Sequence, residues 1–272
     1  MSMDLSGIKM LVTDMDGTLL DSKGAVSKEF FELFSELKKL DVLFVAASGR
    51  QYFSIRHKLA AIENDIHIIA ENGGMTLHQG VELASVIMQP EQVAMVLEGC
   101  KDITDCYTIL CGKKGAYIKT DDAEFLETLA EYYNQFTVVD DLATITDDQF
   151  MKIAIYHGAG SEANLYPSLK HLEDRLSVKV SAEHWLDISL DSTNKGNALE
   201  ALQNKFGITQ DETIAIGDYN NDLEMLTKAT YSFAMENAHP NVKKAANYST
   251  KSNDNNGVEY IMQQVIAAKK QR

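Results

Sequence analysis

The chain has 272 residues, 45% of them apolar and 24% charged, which excludes a disordered or low-complexity polymer and leaves material for one large domain or two modest ones. Lys and Arg number 25 against 40 Asp and Glu, a formal net charge of -15, so nucleic acid is not expected as a partner and any site for a phosphorylated metabolite has to carry its own cation. The three cysteines Cys100, Cys106 and Cys111 lack CxxC spacing, which argues against a disulfide framework or structural zinc site. With no leader-like start and no apolar run of about 18 residues, a cytoplasmic protein without a membrane span is expected.

From Ile8 to Thr13 a short apolar run stops at an acidic turn, the pattern of a buried parallel strand. Ser27 is placed to cap a helix whose Phe30, Phe31, Phe34, Leu37 and Leu40 recur at three- and four-residue spacing, and Val42 to Ala47 reads as a second strand. A third run, Ile66 to Ala70, ends at Glu71-Asn72-Gly73-Gly74, with a hairpin around Gln79-Gly80. The pattern then changes. Predicted helices at Glu91–Ile103, Asp122–Asn134 and Ser161–Leu176 are mixed with strands at Tyr107–Leu110, Ala116–Lys119, Met151–Tyr156 and Val178–Ser181, an α+β unit. After Trp185–Leu190 the first pattern resumes: a helix over Lys195–Phe206, a strand over Thr213–Ile216, a helix from Asn221 and a closing β and α. The fold class is therefore α/β: a doubly wound, Rossmann-like parallel sheet over 1–85 and 188–272, with residues 86–187 inserted as an α+β cap.

The polar residues of interest fall just beyond predicted strand ends. Asp14 and Asp16 follow the first strand two residues apart, and crowded carboxylates resist joint ionisation unless a hard cation such as magnesium joins them. Ser48-Gly49-Arg50 follows the second strand, where a hydroxyl and backbone N–H groups can hold an anion. Lys195 opens the helix after the middle region, and Asp218, Asn221 and Asp222 follow the strand Thr213–Ile216. Singly, these read equally as a capped polar turn, an ordinary strand-to-helix turn, a solvated lysine and an Asp-rich helix cap. Jointly, four separated segments put three metal-binding carboxylates, a hydroxyl and a lysine at the carboxyl edge of one parallel sheet, where such sheets form their crevice.

With Asp14-Met15-Asp16-Gly17-Thr18-Leu19, Ser48-Gly49-Arg50, Asn194-Lys195-Gly196 and Gly217-Asp218-Tyr219-Asn220-Asn221-Asp222, the sequence resembles the haloacid dehalogenase superfamily, specifically its Cof-type phosphatases with a large α/β (type IIB) cap. Glu71-Asn72-Gly73-Gly74 resembles the family loop preceding the cap. Before the lysine segment the chain reads Leu190-Asp191-Ser192-Thr193, where many relatives carry Pro-Gly. The resemblance implies a Mg2+-dependent phosphoric monoester hydrolase for small phosphorylated metabolites, such as sugar phosphates. It implies Asp14 as nucleophile, Asp16 as acid/base, and Asp14, the Asp16 carbonyl and Asp218 as metal ligands. Ser48, Gly49, Lys195 and Asn221 would bind the substrate phosphoryl group, with Asp222 orienting Lys195. A phosphotransferase or phosphomutase of the same superfamily, or a slow phosphometabolite-binding regulator, is the alternative. Lys113, Lys114 and Tyr117 are candidate cap contacts, and a monomer or weak homo-oligomer is expected.

Overall fold

The computed structural model describes residues 3–271. It divides into two compact units: residues up to Gly49, Ile55–Ala84 and from Asn194 onward form the first, and Arg50–Ser54 with Ser85–Thr193 form the second.

The first unit is built on an eight-stranded sheet. In chain order its strands are β1 (Met10–Asp14), β2 (Leu43–Ala47), β3 (His67–Ala70), β4 (Met75–His78) and β5 (Val81–Ser85), then, after the second unit, β12 (Thr213–Gly217), β13 (Tyr231–Ala234) and β14 (Tyr248–Ser249). Their spatial order is β14-β13-β12-β1-β2-β3-β4-β5, parallel from β14 through β3, with β4 antiparallel to β3. All five β1 residues are buried, as a strand covered on both faces must be. The chain leaves β1 for β2 on one side and returns to β12 on the other, so the strand order reverses at β1. A parallel sheet opens its crevice at the carboxyl end of such a strand.

The packing follows from the apolar spacing. Ser27 caps the helix Lys28–Lys39, its Oγ accepting from the Phe30 N–H at 3.0 Å. Phe30 and Phe34 then meet Phe44 of β2 edge-to-face at 5.3 and 5.8 Å between ring centres. Each such buried ring contributes on the order of 2 kcal/mol through apolar burial.

The second unit holds a six-stranded sheet in the order β10-β11-β9-β6-β7-β8. The strands are β6 (Cys106–Gly112), β7 (Ala116–Ile118), β8 (Phe136–Val138), β9 (Phe150–His157), β10 (Ser177–Ala182) and β11 (Trp185–Ser189). Its neighbours run antiparallel except for the parallel pair β7 and β8. The cysteines are free, and burial pushes the Cys100 thiol up to about 12. Among the described residues no helix is long and apolar enough to cross a membrane.

Four sequence expectations change, the first being Arg50–Ser54, expected in the core over 1–85 and found in the second unit. Residues 188–193, expected in the catalytic core, fall in the second unit: Trp185, Leu186 and Ile188 lie on β11, which pairs with both β9 and β10. The helix expected over Ser161–Leu176 is instead Ser161–Asn164, Tyr166–Leu169 and a 3-10 stretch Lys170–Asp174. Pro167 has no N–H to continue the ladder and disfavours helical backbone before it, so the apolar spacing outlasts the helix. The helix expected from Asn221 is a 3-10 turn, Asn220–Asp222, followed by the short helix Leu223–Leu226.

Candidate active site

Asp14 is the last residue of β1, Ser48 and Gly49 follow β2, and Asp218 follows β12. The register pairs Asp14 with Ala47 and Thr13 with Ile216, so these three strand ends lie level at one edge. Lys195 opens the helix Lys195–Phe206, whose cap is Asn194, its side chain accepting from the Asn197 N–H at 2.8 Å.

Lys195 is fully buried and lies between two carboxylates: its Nζ donates to Asp14 Oδ1 at 2.5 Å and to Asp222 Oδ1 at 2.7 Å. The other Asp222 oxygen accepts the backbone N–H groups of Asp218 and Tyr219 at 2.9 and 3.1 Å. Asp222 is therefore engaged through both oxygens, fixing the lysine on one side and the Asp218 turn on the other. Asp218 Oδ1 accepts from the Thr18 hydroxyl at 2.9 Å. Gly17, at φ 75°, passes so close to this carboxylate that a Cβ there would overlap Asp218 Oδ2, which demands glycine.

Asp14, Asp218 and Asp222 can each offer an oxygen within 4.8 Å of the others. Asp14 and Asp222 contact one ammonium and Asp218 lies in the same group, so negative charge is in excess and the carboxylate pKa values are displaced accordingly. Burial, opposed by Lys195 but reinforced by Asp222, Asp218 and Asp16, holds Asp14 well above the usual carboxylate range. Burial and then Asp222 push Asp218 up to about 6, against the Thr18 hydrogen bond and Lys195. Burial alone would depress Lys195, but Asp14 and Asp222 outweigh it and raise its affinity for the proton. An oxygen-only donor set with surplus negative charge suits a hard divalent cation.

The exposed Asp16 side chain lies outside this three-carboxylate group. Ser48 is buried, its N–H donating to the Ile69 carbonyl and its carbonyl accepting from the Asn72 N–H, both at 2.9 Å. The Asn221 amide donates to Asn72 Oδ1 at 3.0 Å. Thr18 and Asn72 escape sequence reasoning about the site. Thr18 lies inside the quoted Asp14–Leu19 motif and Asn72 just after β3, so position was the available signal. The cap candidates stay in the second unit: Lys114 pairs with Asp147 at 3.1 Å, and the Tyr117 hydroxyl donates to Asp148 at 3.0 Å.

The sequence model of the haloacid dehalogenase-like hydrolases matches residues 11–262. The chain belongs to that family. It is 33% identical over 268 residues to 5-amino-6-(5-phospho-D-ribitylamino)uracil phosphatase YbjI of Escherichia coli (strain K12), covering 95% of this chain and 96% of the relative. It is 29% identical over 289 residues to the phosphatase of the same description, YwtE, of Bacillus subtilis (strain 168), covering 96% and 99%. The crystal structure of SMU.1108c from Streptococcus mutans UA159 superposes with a TM-score of 0.88 at 30% identity, covering 96% of this chain and 99% of that one. The subclass IIB sugar phosphatase BT4131 shares the fold, with a TM-score of 0.80 at 20% identity over 94% and 98% of the two chains. The enzyme is thus a phosphoric monoester hydrolase built as a parallel-sheet core with an inserted cap.

Proposed function

We propose that the protein is a magnesium-dependent phosphatase of small phosphomonoesters, sugar or polyol phosphates above all, working through an aspartyl-phosphate on Asp14. The observation that supports this best is the buried Asp14–Lys195–Asp222 chain beside Asp218, at the carboxyl edge where β1 meets β12. Asp14, the Asp16 carbonyl and Asp218 would hold Mg2+, Asp222 being taken up by Lys195 and the Asp218 turn. Bound there, the cation offsets the surplus carboxylate charge and draws electron density from the phosphoryl oxygens.

In the first half-reaction an Asp14 carboxylate oxygen forms a bond to phosphorus while the bond to the leaving oxygen breaks, and Asp16 gives that oxygen its proton. In the second, water attacks phosphorus, the now ionised Asp16 takes the proton, and the Asp14 carboxylate leaves. The exposure of the Asp16 side chain suits a group that reaches the leaving oxygen and then water. Lys195, the Ser48 hydroxyl and the Gly49 amide hold the transferring oxygens, with Asn221 beside them. Asp222 fixes the Lys195 ammonium, so that positive charge is already in place when charge develops.

Phosphate release from a panel headed by 5-amino-6-(5-phospho-D-ribitylamino)uracil and simple sugar phosphates, with magnesium or excess chelator, tests this reading. Release that needs magnesium and vanishes in Asp14→Asn is expected. Release that survives both the chelator and the substitution overturns it.

A further inference from the structure

The turn Glu71–Gly73 between β3 and β4 bears on three of the loops that carry the proposed phosphoryl site. The Asn72 N–H donates to the Ser48 carbonyl at 2.9 Å, tying the turn to the Ser48-Gly49 loop. The Asn72 carboxamide packs over Gly49: a Cβ on Gly49 would lie 3.1 Å from Asn72 Oδ1 and 3.2 Å from Nδ2. Its Oδ1 also accepts from the Asn221 amide at 3.0 Å, across 149 residues of sequence. On the other side Gly73, at φ 97°, lies against the Asn194 backbone so closely that a Cβ would meet the Asn194 carbonyl carbon at 2.7 Å, one residue before Lys195. Asn72 adopts φ 55°, a left-handed conformation that asparagine tolerates better than most residues. One short turn therefore touches the segments supplying Gly49, Lys195 and Asn221.

The geometry points to Asn72 as a positioning residue for phosphoryl transfer. Its carboxamide fixes the Asn221 amide and bounds the Gly49 loop, so that both are set for the transferring oxygens before substrate arrives. The inference rests on the phosphoryl-binding roles proposed for Gly49 and Asn221. Its physical basis is that a donor costs no reorganisation in the transition state only if a neighbour already holds it. Asparagine is suited on two grounds. Its oxygen accepts from Asn221, and being neutral it puts no like charge beside an incoming phosphate, as aspartate would.

The test uses Asn72→Gly, Asn72→Asp, Asn221→Ala and the double variant Asn72→Gly/Asn221→Ala. Asn72→Gly removes the carboxamide while tolerating the positive φ. Asn72→Asp keeps both the shape and the acceptor for Asn221, and it decides the matter if the glycine variant melts early. The readouts are kcat and KM for 4-nitrophenyl phosphate, and the Kd of tungstate, an oxyanion probe, by calorimetry. Asn72→Gly is expected to lower kcat/KM about 10- to 100-fold, mostly through kcat, with tungstate binding weakened. Asn72→Gly should cost clearly less in the Asn221→Ala background than in wild type, because the part of its effect that runs through Asn221 is already lost there. Asn72→Asp should weaken tungstate more than Asn72→Gly does, although it preserves the Asn221 contact. Fully additive effects, or an Asn72→Gly protein within about twofold of wild type in both readouts, would overturn the inference. A wild-type protein that binds tungstate but releases no phosphate contradicts the phosphatase reading alone, and the tungstate comparison still decides the role of Asn72. A wild type that does neither sinks both.

Discussion

Each of the two units buries a lysine against carboxylate, and the difference between the two arrangements separates packing from chemistry. In the second unit Lys152 of β9 faces Asp187 of β11 at 3.4 Å, both largely buried, and Lys179 of β10 stands opposite Asp187 in the register. In the first unit Lys195 meets Asp14 and Asp222 at 2.5 and 2.7 Å, with Asp218 in the same group. A buried ion pair whose charges are met within its own sheet can be exchanged for apolar residues with little effect on stability. An unbalanced group has to be completed from outside, and there the pKa values of Asp14 and Asp218 are displaced upward.

The sharpest break in this comparison is Asp14→Asn. The fold should persist, since the substitution removes a buried charge rather than a partner the structure depends on, while phosphate release falls by at least about 10³-fold. Unchanged circular dichroism with lost turnover is the expected pair of readings; a variant with near-normal rates would refute the nucleophile.

Removing the lysines comes next. Lys195→Met leaves Asp14, Asp218 and Asp222 uncompensated and should destabilise metal-free protein by about 3–5 kcal/mol in denaturant unfolding; Lys152→Met alone should do the same through Asp187. The contrast lies in repair. Lys152→Met/Asp187→Leu should return to within about 2 kcal/mol of wild type. If the double variant stays as unstable as the single, the second-unit pair is not a replaceable packing element.

Asp218 gives a pH-dependent version of the same contrast. Its folded pKa is raised to about 6, so its contribution to stability is full below the unfolded carboxylate value and is lost as pH rises through about 6. In metal-free buffer at pH 7.5, Asp218→Asn should therefore melt higher than wild type, by on the order of 1–3 kcal/mol, with the gap closing towards pH 5. The same variant should lose the stabilisation that magnesium gives wild type. A variant less stable at pH 7.5 and equally responsive to magnesium would contradict the electrostatics. The smallest effect is that of Thr18→Val: the Thr18 hydrogen bond lowers the Asp218 pKa, so its loss should raise that value further by NMR titration of the metal-free protein.

The parts legible in sequence were those that local spacing dictates. Strand ends followed by Asp14, Ser48 and Asp218 needed only apolar runs stopping at polar turns, and parallel pairing in register then brings them to one edge. Less legible were features decided across long separations. Asn72 meets Asn221 and Thr18 meets Asp218 over 149 and 200 residues, which no local pattern records. Residues 188–193 were misplaced because an apolar strand after a cap helix reads alike whichever sheet it joins. The Ser161–Leu176 helix failed for a local reason, Pro167, that apolar spacing alone ignores.

The central claim, a covalent phosphate on Asp14, is tested most directly in an Asp16→Asn variant given magnesium and 4-nitrophenyl phosphate. This substrate's leaving group departs without a proton, so the first half-reaction proceeds while the base for the second is missing. Borohydride reduction of the quenched protein, followed by peptide mass spectrometry, should find homoserine at position 14 and no other aspartate reduced. Nitrophenol release with an unmodified Asp14, or with the label on another residue, would contradict the mechanism.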